Sequence, residues 1–464
     1  MREPEKDSGT SGKDASRQKL HIAIVGSGPS GFYAAEALLR SGRNVSINMI
    51  ERLPTPYGLV RSGVAPDHPK LKQTIAVYAG IARDENFNFL GNVTAGRDIS
   101  VGELQQTHHA VLLACGADED RTLTIPGGGL PGNHSATEFV GWYNGHPDFR
   151  ERTFDLSHEA AVVIGQGNVA ADVCRILAKP VDELRNSDIA EHALEVLAES
   201  KIQEIHVVGR RGPAHAKFTA KELRELGGIA DVTAHAKPEE CVLNEESRLE
   251  LEDRANFNAV KNLDMFGAFA KQVETRGQRR IRFRFCLSPA ALVGRDRVEA
   301  ISFVRNRLEG PPFSQKATAT NQTETISCGL VLRSIGYRGV PLDGVPFDGL
   351  RGVVPNVAGR IVDGEKPLRG LYVTGWLKRG PTGIIGTNRA DSIETVGNLL
   401  ADASEQEAKS GADALLPLLE ARRVRWVSFA EWLKIDAAEI ERGKDKGKPR
   451  EKFTRIDEML NMLE

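Results

Sequence analysis

Cysteine is scarce in this sequence of 464 residues, and no two cysteines stand in a C-x-x-C pair. This spacing argues against a disulphide framework, a zinc ribbon or a cysteine-ligated cluster, so we expect buried thiols, a reducing compartment and no metal. The five positions are Cys115, Cys174, Cys241, Cys286 and Cys328.

Long apolar runs are also lacking, since none approaches the ~20 residues that span a bilayer. The first stretch, MREPEKDSGTSGKDASRQ, lacks the apolar core of a secretory signal, and its mixed charges predict a disordered tail over residues 1–19. Its acidic residues count against a mitochondrial presequence. We therefore expect no transmembrane segment and a cytoplasmic protein, with the mitochondrial matrix as the alternative.

Neither sign of charge dominates: 61 Lys and Arg stand against 63 Asp and Glu, for a net charge of -2. This balance provides no general attraction to nucleic acid or anionic lipid, so we expect no nucleic-acid partner and only local docking faces.

The length exceeds what one hydrophobic core usually organises, which favours two domains or one large assembly with an insertion. We expect a monomer.

What the chain does contain is a repeated alternation of strand and helix. Residues 21–26, 30–42 and 45–51 read as strand, helix and strand, and the pattern returns from residue 159 to residue 211. Alternation of this kind predicts an α/β fold with parallel sheets, here two Rossmann-like dinucleotide-binding domains.

The first glycine-rich loop, Gly26-Ser27-Gly28-Pro29-Ser30-Gly31, matches G-x-G-x-x-G between a predicted strand and helix. Gly26 permits the tight turn, Gly28 lets amides reach a pyrophosphate, and Gly31 allows the helix to approach the sheet. Glu51 ends the next strand, where a carboxylate accepts hydrogen bonds from ribose hydroxyls and repels a 2′-phosphate. This loop is therefore predicted to bind FAD or NAD(H).

The second loop, Gly165-Gln166-Gly167-Asn168-Val169-Ala170, has the related form G-x-G-x-x-A. The strand after its helix ends in Arg210 and Arg211, whose guanidinium groups suit a phosphate dianion and select NADP(H). A chain that binds FAD and NADPH can pass a hydride from nicotinamide to flavin. Without a cysteine pair, the electrons can leave to a one-electron carrier protein, oxygen or a small organic acceptor.

Longer motifs carry a resemblance to a known family. VGSGPSGFYAAEALL, YGLVRSGVAPDHPKLK, FVGWYNG, IGQGNVAADVCRIL, VGRRGPAHAKFTAKELRE, GLVLRSIGY, TGWLKRGPTGIIGT and GKPREK resemble adrenodoxin reductase and bacterial ferredoxin–NADP⁺ reductases, from about residue 20 to the C-terminus. The resemblance implies an FAD domain made of residues 20–120 and 341–464, with an NADP domain inserted at 121–340. It also implies a ferredoxin-type iron–sulfur protein as the electron acceptor.

The resemblance further implies the residues that contact each cofactor. The implied FAD contacts, beyond the loop glycines, are Ser30, Glu51, Leu59, Ala95, Trp376, Gly383, Ile384 and Ile385. The implied NADP contacts are Gly165, Gln166, Gly167, Asn168, Val169, Arg210, Arg211, Glu222 and Gly383. From the residue alone, Trp376 could equally belong to a core.

An ionic couple between His68 and Glu225 near the flavin is also implied by the resemblance. A histidine near its neutral-pH transition, held by a carboxylate, could orient the nicotinamide or help to protonate reduced flavin. The alternative is that His68, between Asp67 and Pro69, is an ordinary loop residue.

The docking surface for a ferredoxin is not evident. Residues 251–272 alternate in charge, whereas the mitochondrial members of the family carry a basic segment in this region. Arg279, Arg280, Arg282 and Arg284 are interpreted as one solvated face of a strand. The basic stretch 442–455 is interpreted as a solvated terminal segment or, alternatively, a docking segment. The alternatives for function are an NADPH:acceptor reductase using oxygen, quinones or small molecules, and an electron-input subunit of a larger flavoenzyme complex.

Overall fold

The computed structural model describes residues 19–273, 278–403 and 408–464. The predicted N-terminal tail, apart from Lys19, lies outside these ranges. Within them, no helix combines the length and the apolar character that crossing a membrane requires.

The strands, in chain order, are β1 (Leu20–Val25), β2 (Val45–Ile50), β3 (Phe87–Leu90), β4 (Ala110–Leu113), β5 (Glu119–Asp120), β6 (Asn133–Ser135), β7 (Ala160–Ile164), β8 (Glu204–Val208), β9 (Val232–Ala236), β10 (Arg279–Arg284), β11 (Leu287–Val293), β12 (Ala300–Glu309), β13 (Lys316–Ser327), β14 (Leu330–Arg333), β15 (Tyr337–Arg338), β16 (Asn356–Val357), β17 (Arg360–Asp363) and β18 (Lys366–Val373).

The α-helices are α1 (Pro29–Leu39), α2 (Leu59–Ser62), α3 (Pro69–Lys72), α4 (Thr74–Ile81), α5 (Val101–Thr107), α6 (Ala136–Tyr143), α7 (Asn168–Ala178), α8 (Val181–Leu184), α9 (Glu191–Ala198), α10 (Ala220–Gly227), α11 (Glu245–Glu252), α12 (Phe257–Phe269), α13 (Trp376–Arg379), α14 (Thr387–Asp402), α15 (Ala412–Ala421), α16 (Phe429–Lys444) and α17 (Ile456–Asn461). Short 3₁₀ turns lie at Pro147–Phe149, Pro213–His215, Pro238–Cys241 and Arg254–Asn256.

The chain forms two compact units. The first unit comprises the chain up to Tyr57 together with Ala76–Ala117 and Gly339–Phe429, and the second comprises Gly58–Ile75, Asp118–Arg338 and Ala430–Glu464. In the sequence, segments of the first unit therefore lie on both sides of the main segment of the second unit. The segments 58–75 and 430–464, which the sequence division placed with the FAD domain, pack in the second unit; the predicted domain limits themselves stay a prediction.

The first unit is built on a sheet of order β16-β17-β18-β4-β1-β2-β3. From β18 to β3 the neighbouring strands are parallel, while β16 and β17 pair antiparallel at one edge. Strand β1 lies between β2 and β4, so the chain order reverses at β1. In open α/β sheets, such a reversal opens a crevice at the carboxyl ends of the strands, where ligands bind.

The second unit contains a fully parallel sheet of order β6-β14-β7-β8-β10-β9 and an antiparallel sheet β11-β12-β13. Strand β7 is buried along its whole length, as expected for a strand covered on both faces. Its two neighbours in the sheet, β8 and β14, lie on opposite sides of β7, and both come later in the chain. The predicted α/β architecture with two Rossmann-like sheets is thus confirmed.

The four arginines predicted to form a solvated face do lie on a strand, β10, but this strand is internal to the sheet. Arg284 is buried and donates to Glu240 at 2.9 Å and to Glu324 at 2.7 Å. Arg280 and Arg282 both pair with Glu204. The interpretation of a merely solvated face was wrong for Arg284, because carboxylates from other elements neutralise the arginine inside the protein.

The basic C-terminal stretch is likewise not a solvated tail. Lys448, Glu451 and Lys452 are buried. Lys452 Nζ lies 3.1 Å from Asp188 Oδ2 and 3.1 Å from the backbone oxygen of Asn144. The interpretation of a solvated segment was therefore wrong for these side chains, which hold the end of the chain inside the second unit, while the docking alternative stays a prediction.

Candidate cofactor-binding sites

The first glycine-rich loop joins β1 to α1, and its glycines have the geometry that the motif requires. Gly26 has a φ of +105°, and a Cβ there would lie 2.5 Å from the carbonyl oxygen of Ala114. A Cβ at Gly31 would overlap the carbonyl oxygen of Gly26, because the helix packs closely on the turn. By contrast, a Cβ at Gly28 would meet no described atom within 4 Å.

Gly28 is also the residue that caps helix α1, and Pro29 opens the first turn. Gly28 has no side chain with which to cap the first amides of this helix. Amides at the positive end of a helix, beside open space and the strand crossover, suit a pyrophosphate.

Glu51 follows β2 at the same edge of the sheet. Its Oε2 accepts hydrogen bonds from Ser27 Oγ at 2.6 Å and from the Ser27 amide at 3.1 Å, while Oε1 accepts from the Leu53 amide at 3.1 Å. These donors hold the carboxylate against the first loop. The predicted acid is therefore fixed where a ribose of a dinucleotide on this loop would lie.

The second loop joins β7 to α7 and repeats this arrangement. Gly165 has a φ of +128°, and a Cβ there would overlap the carbonyl oxygen of Ser334. Gly167 caps α7, and a Cβ on it would meet nothing described within 4 Å. Ala170, in place of the third glycine, is fully buried.

Two side chains of the second loop have structural duties that the sequence did not indicate. Gln166 Nε2 donates to the backbone oxygen of Arg284 at 2.9 Å, and its amide lies where a Cβ of Gly209 would be. Asn168 Oδ1 accepts from the Thr219 amide at 2.8 Å. Both residues tie the loop to its neighbours, which leaves their backbone as the surface offered to a ligand.

Arg210 and Arg211 follow β8, the strand beside β7. Arg210 is exposed and Arg211 is half-buried. Burial and the neighbouring Arg210 lower the pKa of Arg211, against the opposing effect of Glu250. Asn306 Nδ2 anchors the turn by donating to the Arg210 backbone oxygen at 2.8 Å. Two adjacent cations beside the loop match the doubly charged 2′-phosphate of NADP(H).

The second unit also brings His68 and Glu225 together. His68 Nε2 lies 2.8 Å from Glu225 Oε2 and 3.9 Å from Glu222 Oε2. Thr219 caps α10, and Glu222 and Glu225 lie one turn apart on the same face of that helix. The structure therefore places His68 in contact with Glu225, while the role that the family resemblance implies for the two residues near the flavin stays a prediction.

Beneath this couple lies Arg175, a buried arginine that the sequence reasoning missed. Its guanidinium donates to Asp67 at 2.6 Å, to Asp172 at 2.6 Å and to Glu222 at 3.2 Å. The available signal was a charged pair three residues apart inside the otherwise apolar helix NVAADVCRILA.

The carboxylates around Arg175 differ in their proton affinity. Burial raises the pKa of Asp172 to about 6, despite the attraction of Arg175. Burial also opposes ionisation of Asp67, but hydrogen bonds from Arg175 and Lys179 outweigh it and lower the pKa to about 2. At Glu225 the hydrogen bond with His68 likewise outweighs burial, and its pKa is lowered.

His68, Asp172 and Glu222 offer atoms within 4.8 Å of one another, which is close enough to share a metal ion. Arg175, however, donates hydrogen bonds to both carboxylates. The guanidinium thus already supplies the cation that these acids require.

The remaining residues implied for FAD lie mostly in the first unit. Ser30 is buried against Gly375, and Trp376 opens α13 immediately afterwards. Ala95 forms an isolated bridge with Ile99. Gly383 has a φ of +85°, Ile384 is exposed and donates its amide to Thr387 Oγ1 at 3.1 Å, and Ile385 follows. Leu59, by contrast, lies on α2 in the second unit and is exposed.

The cysteines do not form a redox-active pair. All five lie in the described ranges and none is in a disulphide bond, and Cys174 and Cys328 are buried. Burial raises the pKa of Cys241 and of Cys286 to about 11, so both remain protonated thiols near neutral pH.

Two parallel sheets, each with a glycine-rich loop at a strand crossover, define an oxidoreductase of the class that uses pyridine nucleotides. Residues 20–260 match the family described as "Pyridine nucleotide-disulphide oxidoreductase". More narrowly, the chain belongs to the family of adrenodoxin reductases and ferredoxin–NADP⁺ reductases.

The relatives that place it there match nearly its full length. It is 44% identical over 462 residues to "NADPH:adrenodoxin oxidoreductase, mitochondrial" of Arabidopsis thaliana, covering 96% of both chains. It is 44% identical to "NADPH-ferredoxin reductase FprA" of Mycobacterium tuberculosis, covering 95% of this chain and 98% of that protein. The solved structure of M. tuberculosis FprA in complex with NADPH superposes with a TM-score of 0.90 at 43% identity, covering 96% of this chain and 100% of that chain.

Proposed function

We propose that this enzyme binds FAD in the first unit and NADPH in the second, and that it passes electrons from NADPH through FAD, singly, to a ferredoxin-type iron–sulfur protein. The supporting relatives are named as reductases of adrenodoxin or ferredoxin that use NADPH. When bound, FAD supplies the chemistry that connects a two-electron donor to a one-electron acceptor.

The observation that carries the proposal is the contrast between the residues at the two loops. Glu51, fixed by Ser27 beside the first loop, repels a 2′-phosphate and accepts hydrogen bonds from ribose hydroxyls. Arg210 and Arg211, beside the second loop, attract a 2′-phosphate. The two dinucleotide-binding motifs thus differ in nucleotide preference because an acid follows the second strand of the first motif and two arginines follow the second strand of the other.

The residues of the first unit fit FAD in detail. The open space at Gly28 and the N-terminal amides of α1 provide a place for the pyrophosphate, and Glu51 provides acceptors for the ribose. We assign Ser30, Ala95, Trp376, Gly383, Ile384 and Ile385 to the same site, and Leu59 to a contact with FAD, as the family resemblance implies.

In the second unit we assign the backbone from Gly165 to Val169, the arginine pair and Glu222 to NADPH. His68, fixed by Glu225, holds a proton at a defined place and direction. Hydride transfer itself needs no acid or base from the protein, so the couple acts chiefly by positioning.

The acceptor follows from the cysteines and from the relatives' names. A dithiol acceptor within this chain would need two neighbouring thiols, and the five cysteines are scattered and form no disulphide bond. A one-electron iron–sulfur partner fits both observations. We further propose that the enzyme is a monomer. Either the cytoplasm or the mitochondrial matrix is compatible with the relatives, of which one is bacterial and one is named as mitochondrial.

The test is an anaerobic titration of the purified flavoprotein with NADPH and with NADH, followed by addition of oxidised ferredoxins. We expect bleaching of the flavin absorbance by NADPH at far lower concentrations than by NADH, and ferredoxin reduction well above the rate with oxygen or quinones. A protein that binds no flavin would refute the proposal. Turnover with oxygen or quinones equal to that with every ferredoxin tested would refute the acceptor.

A further inference from the structure

A buried histidine and a buried glutamate interact electrostatically with Arg211. His215 is on the 3₁₀ turn Pro213–His215, which begins two residues after Arg211. Its Nε2 lies 3.2 Å from Glu250 Oε2, and the two side chains are only 8% and 10% exposed. A charged pair removed from water at this place is costly unless the protein holds it with further hydrogen bonds.

Glu250 is indeed held. Its Oε1 accepts hydrogen bonds from the Phe313 amide at 2.7 Å and from Gln315 Nε2 at 2.8 Å. Gln315 is oriented in turn by Asn244, whose Nδ2 donates to Gln315 Oε1 at 2.6 Å. These donors outweigh burial and lower the pKa of Glu250, so the carboxylate is ionised. It faces His215 from α11 as a fixed acceptor.

The charges that face His215 come from two elements. Arg211 and Lys217, on its own segment, disfavour the protonated ring, and Glu250, on α11, favours it. Burial is the largest influence and lowers the pKa of His215. His215 Nε2 is in electrostatic contact with Glu250, while Nδ1 is buried with no hydrogen-bond partner in the described structure. The backbone oxygen of Gly212 also favours the protonated ring.

We infer that His215, held by Glu250, is a third cationic element of the 2′-phosphate site and takes up a proton from solvent when a 2′-phosphorylated dinucleotide binds. The inference rests on the proposed assignment of NADPH to the second unit. In the free protein, Arg211 and Lys217 oppose a further positive charge on His215. A phosphate dianion bound at Arg211 offsets this positive charge, so that protonation of His215 becomes favourable.

The sign of the pH dependence follows from linkage. Binding raises the pKa of His215, so the complex holds more protons than the free protein between the two pKa values. Affinity for NADP⁺ is therefore greatest at low pH and falls as the pH rises through the pKa of the complex. A rise of one pKa unit on binding corresponds to at most a tenfold change in affinity. NAD⁺, which lacks the 2′-phosphate, does not share this effect.

The experiment is isothermal titration calorimetry of the oxidised holoenzyme with NADP⁺ and with NAD⁺. Titrations from about pH 6 to about pH 8.5, in buffers of different ionisation enthalpy, give the protons taken up on binding. His215→Gln is the matched variant, because glutamine keeps a donor for Glu250 but does not titrate. It also controls for protonation of the 2′-phosphate itself, which contributes equally in both proteins.

We expect proton uptake with NADP⁺ in the wild type that is lost in His215→Gln, together with a three- to tenfold steeper fall of the wild-type affinity across this pH range. Equal proton uptake by the two proteins would overturn the inference. Glu250→Gln is a second test: a tuning role predicts loss of the uptake with no loss of affinity at about pH 8.5, whereas a purely structural role predicts weaker binding at every pH. Equal affinity for NADP⁺ and NAD⁺ in the wild type would instead refute the proposed function.

Discussion

His68 and Glu225, which are 157 positions apart in the chain, meet at 2.8 Å between Nε2 and Oε2. Glu225 is further ordered by α10, whose first turn is capped by Thr219. We expect His68→Gln to slow flavin reduction by NADPH about tenfold, because the oriented charged hydrogen bond is lost. FAD content should change little. Stopped-flow absorbance under anaerobic conditions measures both.

Glu225→Gln is the companion variant, since it removes the same charge pair from the other side. Its effect on flavin reduction should match that of His68→Gln, and the double variant should be no slower than either. Reduction kinetics identical to those of the wild type in both single variants would show that His68 and Glu225 have no role in flavin reduction by NADPH.

Gly28 and Gly31 allow the first loop to be tested without side-chain chemistry. A Cβ at Gly28 meets no described atom within 4 Å, so Gly28→Ala should fold normally but bind FAD poorly, because the methyl group occupies the pyrophosphate space. Gly31→Ala should instead destabilise the fold, since its Cβ overlaps a backbone oxygen. Flavin content and thermal unfolding of the two proteins distinguish these effects. Gly80→Ala, in a helix with equal room for a methyl group, is the control and should keep its flavin.

Arg211 should decide the preference for NADPH. In Arg211→Gln, loss of a charge-assisted hydrogen bond of about 1.5–3 kcal/mol should weaken NADPH binding about tenfold to a hundredfold, with little change for NADH. Steady-state ferredoxin reduction with each nucleotide measures the ratio. Arg297→Gln, which removes an exposed ion pair with Asp155, is the matched control. An equal loss for both nucleotides would contradict the assigned phosphate contact.

Arg61 and Glu439 form a buried bidentate ion pair, with distances of 2.9 and 2.6 Å. Glu439→Gln leaves Arg61 without its counter-charge and should lower the free energy of unfolding by about 3–5 kcal/mol. Urea unfolding followed by circular dichroism measures the loss. Lys444→Gln, which breaks an exposed pair with Glu441, should leave the stability nearly unchanged. Similar losses of stability in the two variants would show that burial does not increase the contribution of the Arg61–Glu439 pair to stability.

Asp67 should contribute to the acid sensitivity of the protein. Its pKa in the folded chain is about 2 against a usual 3.8, because Arg175 and Lys179 overcome the effect of burial. The ionised carboxylate therefore stabilises the fold by about 2 kcal/mol above pH 4, and this is lost as the pH falls toward 2. The loss in free energy of unfolding caused by Asp67→Asn, measured against the wild type at the same pH, should be about 1 kcal/mol larger at pH 6 than at pH 3. A difference that is constant with pH would contradict the assignment.

The features that could be predicted from the sequence are those that depend on neighbouring residues. The strand, turn and helix around Gly26 to Gly31 are specified within about ten positions, and the loop geometry follows from steric rules for glycine. The same holds for Gly165 and Gly167. The pairing of His68 with Glu225 was not local and was reached only through the family resemblance.

The features that could not be predicted depend on partners far along the chain. Arg284 is buried because Glu240 and Glu324, each at least 40 positions away, neutralise it. Lys452 is buried because Asp188 and the backbone of Asn144 receive it. In the sequence, these basic residues look the same as solvated ones, since a charge alone does not reveal whether an opposite charge will reach it.

The sequence by itself determined the two glycine-rich loops and predicted their contrasting specificity, because a glycine spacing and the residue ending the next strand act locally. Only the tertiary structure decided which charges are removed from water. It gathered Asp67, Asp172 and Glu222 around Arg175, and it set His215 against Glu250. The physical reason is that the free energy of a buried charge depends on partners that only folding brings within hydrogen-bond distance.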